Sequence, residues 1–179
     1  MRASAKTVNF GILYGMGPFS LAKNLGITNE AARDFIKAYF DRYPRVKEYL
    51  DATLAKARQD GYVSTYFKRR RYIPEILSHD VRLKNFAERT AINMPIQGTA
   101  SDIIKIAMRE IAGHLRRGKL EARMILQVHD ELLFETPKKE LKELIRMAKK
   151  EMQDAVHFDV PMDVSVKYGP NWLDMEDGD

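Results

Sequence analysis

The run MILQVHDELLFE, residues 124–135, decides whether this chain is all helix or also contains sheet. Residues 124–127 and 132–135 are rich in Met, Ile, Leu and Phe, and they flank Val128-His129-Asp130-Glu131. That layout predicts two short strands joined by a tight polar connection. Downstream, Met162, Val164 and Val166 alternate with polar neighbours and predict one more strand over 162–168. Between these, Pro137 precedes a charged amphipathic helix over 138–155. Upstream, Ile103, Ile106, Ala107 and Ile111 recur at helical spacing, so a helix is predicted over 99–116, ending at Gly118. A separate helix is predicted from Val81 to Asn93, with Pro95 interrupting the pattern.

The first half reads as mostly helical. Gly15, Gly17 and Pro18 close an opening helix, and 20–25 forms a short helical turn. Thr28 is placed to cap the next helix, with Glu30 in its first turn and Ala31, Phe35, Ala38 and Tyr39 as its apolar face. Pro44 breaks that pattern, and a third helix over 45–59 stops at Gly61. The tract 62–67 favours a strand, and Lys68-Arg69-Arg70-Arg71 turns the chain back through Tyr72-Ile73 before Pro74 bars extension. The fold class is therefore α+β, with helices early and a short antiparallel sheet late.

With 179 residues and 45% hydrophobic content the chain can bury one core or two small ones. It has no cysteine, which excludes disulfides, zinc-thiolate sites and cysteine nucleophiles. No long uninterrupted apolar run predicts a membrane span, and no secretory pattern opens the chain, so an intracellular location is expected. Charge is uneven: residues 1–90 hold 17 Lys/Arg against 9 Asp/Glu, whereas residues 91–179 hold 13 against 16. The basic half is the better polyanion surface. The 68–71 cluster is either its phosphate contact or a solvated turn.

Arg2, Lys6, Phe10 and Tyr14 recur every four residues, forming one oblique stripe on the opening helix. Two cations followed by two rings suit a triphosphate and a stacked base. The competing reading buries Phe10 and Tyr14 in a core and leaves the cations solvated. Asp130 and Glu131, held between apolar strands, suit orientation of Mg²⁺ or simply a solvent-facing turn; adjacent strand residues point oppositely and need not share one ion. His129 has no zinc-type spacing around it.

Three tracts in this order carry a family resemblance: RASAKTVNFGILYG at 2–15, AERTAINMPIQGTA at 87–100 and QVHDE at 127–131, with YGPNW at 168–172 near the end. Together they resemble the C-terminal part of bacterial family A DNA polymerases, the DNA polymerase I family. The resemblance implies a right-hand polymerase fold, with 1–80 as the later fingers and 81–179 as part of the palm. It implies that Arg2 and Lys6 meet the incoming triphosphate, that Phe10 lies beside sugar and base, and that Tyr14 borders the nascent base pair. Ala3 stands where the family often has a second arginine, which removes one secondary electrostatic contact. Arg89, Asn93, Gln97 and His129 resemble residues lining the primer-template, the two amides sensing minor-groove acceptors with little sequence preference. Asp130 is implied as a metal ligand and catalytic residue, with Lys6 and Glu131 supporting catalysis.

The implied reaction is template-directed nucleotidyl transfer from a dNTP to a primer 3′ hydroxyl with two Mg²⁺ ions, in a cytoplasmic, nucleoid-associated bacterial enzyme. A second metal-binding aspartate belongs to an upstream palm segment or subunit in the family, so the 179 residues alone are expected to be inactive. The alternative is a noncatalytic DNA-binding or assembly module with a polymerase-derived surface.

Overall fold

The computed structural model describes residues 2–118 and 120–178, and the side chains of these apart from residues 2–5 and 7. The chain divides into two compact units, Met1–Thr99 and Ala100–Asp179.

The first unit opens with α1 (Arg2–Leu13), α2 (Pro18–Leu25), α3 (Asn29–Arg42) and α4 (Pro44–Asp60). Val8 and Ile12 of α1 pack with Leu21, Ala22 and Ala32, and Met16, Ile36, Tyr39 and Phe40 close around them. Thr28 caps α3 as expected, its hydroxyl accepting the Ala31 N–H at 3.1 Å. The buried face of α3 differs from expectation: Ala32 is buried, Ile36, Tyr39 and Phe40 are half-buried, and Ala31, Phe35 and Ala38 are exposed. One residue of offset rotates a helix face by about 100°. The stripe through Ile36, Tyr39 and Phe40 offers more apolar area than one built on two alanines, and burial selects it. Pro44 does not merely end α3; it occupies the first turn of α4, where no N–H is needed. Gly61 ends α4 at φ 73°, its N–H donating to the Ala57 carbonyl.

Strand β1 (Tyr62–Ser64) pairs antiparallel with β2 (Arg70–Tyr72) in the register Tyr62–Tyr72, Val63–Arg71 and Ser64–Arg70. The first strand is thus shorter than its β-favouring tract, and only Lys68 and Arg69 of the cationic cluster lie in the turn. A 3₁₀ turn over Pro74–Leu77 follows. Val63, Ile73 and Ile76 then pack with Ala57 and with Ala87, Ala91 and Met94 of α5.

Helix α5 (Val81–Arg117) is one continuous element of 37 residues with Pro95 inside it, contrary to the two helices expected. A proline removes one ladder hydrogen bond and crowds the preceding turn. Here Ala91 and Met94, just before it, are locked in the core, and that burial opposes a break. Residues up to Thr99 belong to the first unit and the remainder to the second. In the latter part Ala107 and Ile111 are buried and Ile103 and Ile106 half-buried, as the expected stripe requires, and Ile104 joins them in the interior.

The second unit continues with β3 (Arg123–Val128), β4 (Glu131–Glu135) and α6 (Leu141–Gln153), the last preceded by a 3₁₀ turn over Lys138–Glu140. The hairpin pairs Val128 with Glu131 and Arg123 with Glu135, with a register shift between Met124 and Leu126. The buried Glu140 carboxylate accepts the Glu121 N–H at 2.8 Å, and Lys139 reaches the Glu121 carboxylate at 2.8 Å, pinning the chain ahead of β3. His114 of α5 meets Glu151 of α6 at 3.3 Å. The strand expected over 162–168 reduces to β5 (Lys167–Tyr168), paired with β6 (Glu176–Asp177). Met162, Val164 and Val166 do alternate between half-buried and exposed neighbours. Alternation sets which side chains face inward, but a strand also requires a ladder partner; the Val166 carbonyl accepts the Gly178 N–H at 2.8 Å, and among the described residues no strand pairing is found for 162–165.

Candidate functional site

Helix α1 turns its apolar face, Val8 and Ile12, into the core, so the Lys6–Phe10–Tyr14 stripe lies outside it. Phe10 is 47% exposed, which removes the reading that made it a core residue. Its ring stacks on Tyr14 with centroids 6.1 Å apart and planes 17° from parallel, and the Lys6 ammonium sits 5.8 Å from the Phe10 centroid. A cation and two aligned rings therefore form a continuous column. Arg2 belongs to α1, but its side chain lies outside the described residues.

Just past Tyr14 the chain turns at Gly15 with φ 81°, and the Met16 N–H returns to the Gly11 carbonyl at 2.8 Å. A Cβ placed on Gly15 would stand 3.5 Å from Arg89 Cγ and 3.6 Å from Ile92 Cδ1. The backbone just past the column therefore runs close to α5 at Arg89 and Ile92. Arg89, Asn93 and Gln97 follow one another at four-residue intervals on α5; Arg89 and Gln97 are exposed and Asn93 is half-buried. Asn93 Oδ1 is buried without a hydrogen-bond partner, an unusual cost that invites a functional explanation. Arg58 of α4 braces the same stretch by pairing with Glu88 at 2.7 Å.

The first unit also brings together residues that sequence reasoning missed. Thr65, Gly98 and Thr99 tie the basic β1–β2 turn to α5: Arg69 donates to the Gly98 carbonyl at 3.0 Å and the Tyr66 N–H to the Thr99 hydroxyl at 2.9 Å. No local pattern marks these contacts, because their partners lie 29 and 33 residues apart.

In the second unit His129 and Asp130 form the two-residue turn between Val128 and Glu131. His129 has φ 53°, a left-handed conformation uncommon outside glycine. The Gln127 amide donates to the His129 carbonyl at 2.5 Å, holding the turn from the neighbouring strand. His129, Asp130 and Glu131 are all exposed. Among the described residues no three His, Cys, Asp or Glu side chains converge as a metal site. Asp130 offers one carboxylate anchor, and a magnesium ion takes about six oxygen ligands, so these residues do not by themselves fit a complete Mg²⁺ site.

The shifted titrations lie elsewhere: burial raises the Tyr39 pKa, and the others sit on exposed ion pairs. The hydrogen bond from Lys139, then its charge, lowers the Glu121 pKa, and Lys150 acts in the same way on Asp154. No described helix is long and apolar enough to cross a membrane.

Residues 1–174 match the family model for DNA polymerase family A. Over 174 residues the chain is 50% identical to DNA polymerase I of Geobacillus stearothermophilus and 48% identical to that of Bacillus subtilis strain 168; each match covers 97% of this chain and 20% of the relative. The chain thus spans about a fifth of the length of these curated relatives. Among solved structures, the POL domain of Pol1 from M. smegmatis, in complex with DNA primer-template and dNTP, superimposes with a TM-score of 0.92 at 43% identity. That likeness covers 96% of this chain and 30% of the other, and it extends the mixed helical and antiparallel-sheet architecture to a polymerase fingers and partial palm.

Proposed function

The chain belongs to DNA polymerase family A, and from that membership we propose that it supplies the nucleotide-selecting face and one carboxylate anchor of a template-directed DNA polymerase. The observation that carries the proposal is the Lys6–Phe10–Tyr14 column, with Lys6 and Phe10 exposed and Tyr14 half-buried, whose following residue Gly15 lies close to Arg89. In nucleotidyl transfer the primer 3′ oxygen bonds to the dNTP α-phosphorus as the bond to the β-phosphate breaks; the hydroxyl proton leaves and pyrophosphate departs. Lys6, with Arg2, tracks the phosphate charge, Phe10 packs beside the sugar and base, and Tyr14 judges the shape of the nascent pair. Flat rings sense shape and not base identity, as a template-directed enzyme requires.

Arg89, Asn93, Gln97 and His129 are proposed to line the primer-template. The amide N–H groups of Asn93 and Gln97 are the donors that minor-groove acceptors require, whereas the unpartnered Asn93 Oδ1 can only accept and calls for a donor. Asp130 is proposed as one anchor for the Mg²⁺ pair expected of the family, with Glu131 in support and the remaining ligands supplied from outside these residues. Residues 1–80 are assigned to the fingers and 81–179 to the palm of a cytoplasmic bacterial enzyme. By themselves the 179 residues are proposed not to extend a primer.

A chimera tests the proposal: residues 1–174 replace the matching segment of the Geobacillus polymerase, and primer extension is measured with Mg²⁺. Extension by the chimera, abolished by Asp130→Asn, is the expected result. A folded chimera that binds primer-template but does not extend it would favour the noncatalytic module and overturn the polymerase reading.

A further inference from the structure

We infer that Thr99 is a positioning residue: its hydroxyl locks the basic β1–β2 turn against α5, so that Lys68 and Arg70 are presented beside Gln97 as a preorganised surface for nucleic-acid phosphates. The phosphate part of this inference rests on the duplex reading above; the locking does not.

Thr99 is buried, and its hydroxyl is used in both directions. It donates to the Pro95 carbonyl, one turn back in α5, and accepts the Tyr66 N–H at 2.9 Å. The turn it holds is closed on itself: the Thr65 N–H meets the Arg69 carbonyl at 2.9 Å, the Arg69 N–H meets the Thr65 hydroxyl at 3.2 Å, and the Lys68 N–H meets the Thr65 carbonyl at 3.0 Å. Lys68 is held at φ 67°, a conformation that persists only where its surroundings over-determine it. Thr65 is 2% exposed, so the root of this solvent-facing turn is an interior residue. Gly98 makes the approach possible, since a Cβ there would come within 2.8 Å of Thr65 Cγ2. The Arg69 guanidinium then spans to the Gly98 carbonyl, immediately after the exposed Gln97.

One neighbouring cation is also held in place. Arg70 lies 4.6 Å over the Tyr62 ring, which itself contacts Tyr72 across the strands at 5.7 Å. A phosphate-binding surface made of long side chains on a loose turn must lose their freedom on binding. Anchoring the turn removes much of that loss beforehand, and a buried hydroxyl serving two partners is a specific way to do it.

Trypsin and a salt series separate the two halves of the inference. Trypsin cleaves after Lys and Arg, so the 68–71 cluster reports opening of the turn. Thr99→Val, which keeps the shape and deletes the hydroxyl, is expected to accelerate cleavage there roughly ten-fold, and Thr99→Ser to restore the parent rate. Parent-rate cleavage in the folded Val variant overturns the locking. If circular dichroism shows that the Val variant does not fold, Thr99→Ala, which also deletes the hydroxyl, takes its place and is expected to accelerate cleavage in the same direction; no acceleration overturns the locking in that case too. Affinity for a primer-template oligonucleotide is then read against salt. The Val variant is expected to bind roughly ten-fold more weakly with a shallower salt slope, and the Ser variant to match the parent. Faster cleavage with unchanged affinity and slope, or a parent chain that binds no duplex, overturns the phosphate surface while leaving the locking judged by the cleavage arm.

Discussion

His129 adopts φ 53° at the first position of a two-residue hairpin turn, where glycine is the usual occupant. A side chain in this region costs of order 1–3 kcal/mol and is retained where something depends on it. The proposed contact between His129 and the primer end is such a dependence, and the adjoining Asp130 is aimed by the same turn. Replacing His129 by Val, whose branched Cβ tolerates this conformation least, is expected to destabilise the chain by about 1–2 kcal/mol in urea unfolding. Replacement by Gly is expected to stay within about 0.5 kcal/mol, because relief of strain and the added freedom of the unfolded chain offset each other. Equal losses for both would show that the imidazole itself stabilises the turn. At this scale the stripe Lys6, Phe10 and Tyr14 was legible, since helical spacing is a property of local sequence. Thr99 was not: a threonine in a helix is unremarkable until a backbone N–H 33 residues away reaches it.

The helices were found by their boundaries more reliably than by their faces. Thr28 and Gly61 act as the cap and the stop that their side chains favour, because capping is settled within three or four residues. Thr28→Ala is expected to cost about 1 kcal/mol, read as a shift in the urea midpoint with an unchanged slope; no shift would mean that α3 does not depend on its cap. The inward face of α3 lies one residue from the expected one, with Ile36 in the position assigned to Phe35, whereas the expected stripe of α5 through Ala107 and Ile111 is the buried one and gains Ile104. An apolar cluster in sequence often contains two overlapping stripes, and only the neighbouring elements choose between them. Pro95 shows the same override: a residue that disfavours helix sits within α5 because Ala91 and Met94 are held in the core on the turn before it. The hairpin at 123–135 was legible in both strands and turn, since each strand finds its partner a few residues away.

Across the molecule several large apolar side chains face solvent: Leu173 is 91% exposed, Val160 and Phe19 are each 74% exposed, and Trp172 is 53% exposed. Such surface binds other apolar surface. The isolated chain is expected to enhance the fluorescence of anilinonaphthalene sulfonate strongly, and the Geobacillus chimera to do so much less per mole; equal enhancement would mean that these side chains stay uncovered in the larger protein. Sequence alone determined the α+β class, the caps, the hairpin and the family, because each is written in local spacing or in ordered motifs. Tertiary structure alone decided which stripe of α3 turned inward, that α5 runs through Pro95, that 162–165 has no described strand partner, and that a basic turn is anchored on Thr99. Those outcomes depend on burial and hydrogen bonding between residues far apart in the chain, and these are fixed only when the chain has folded.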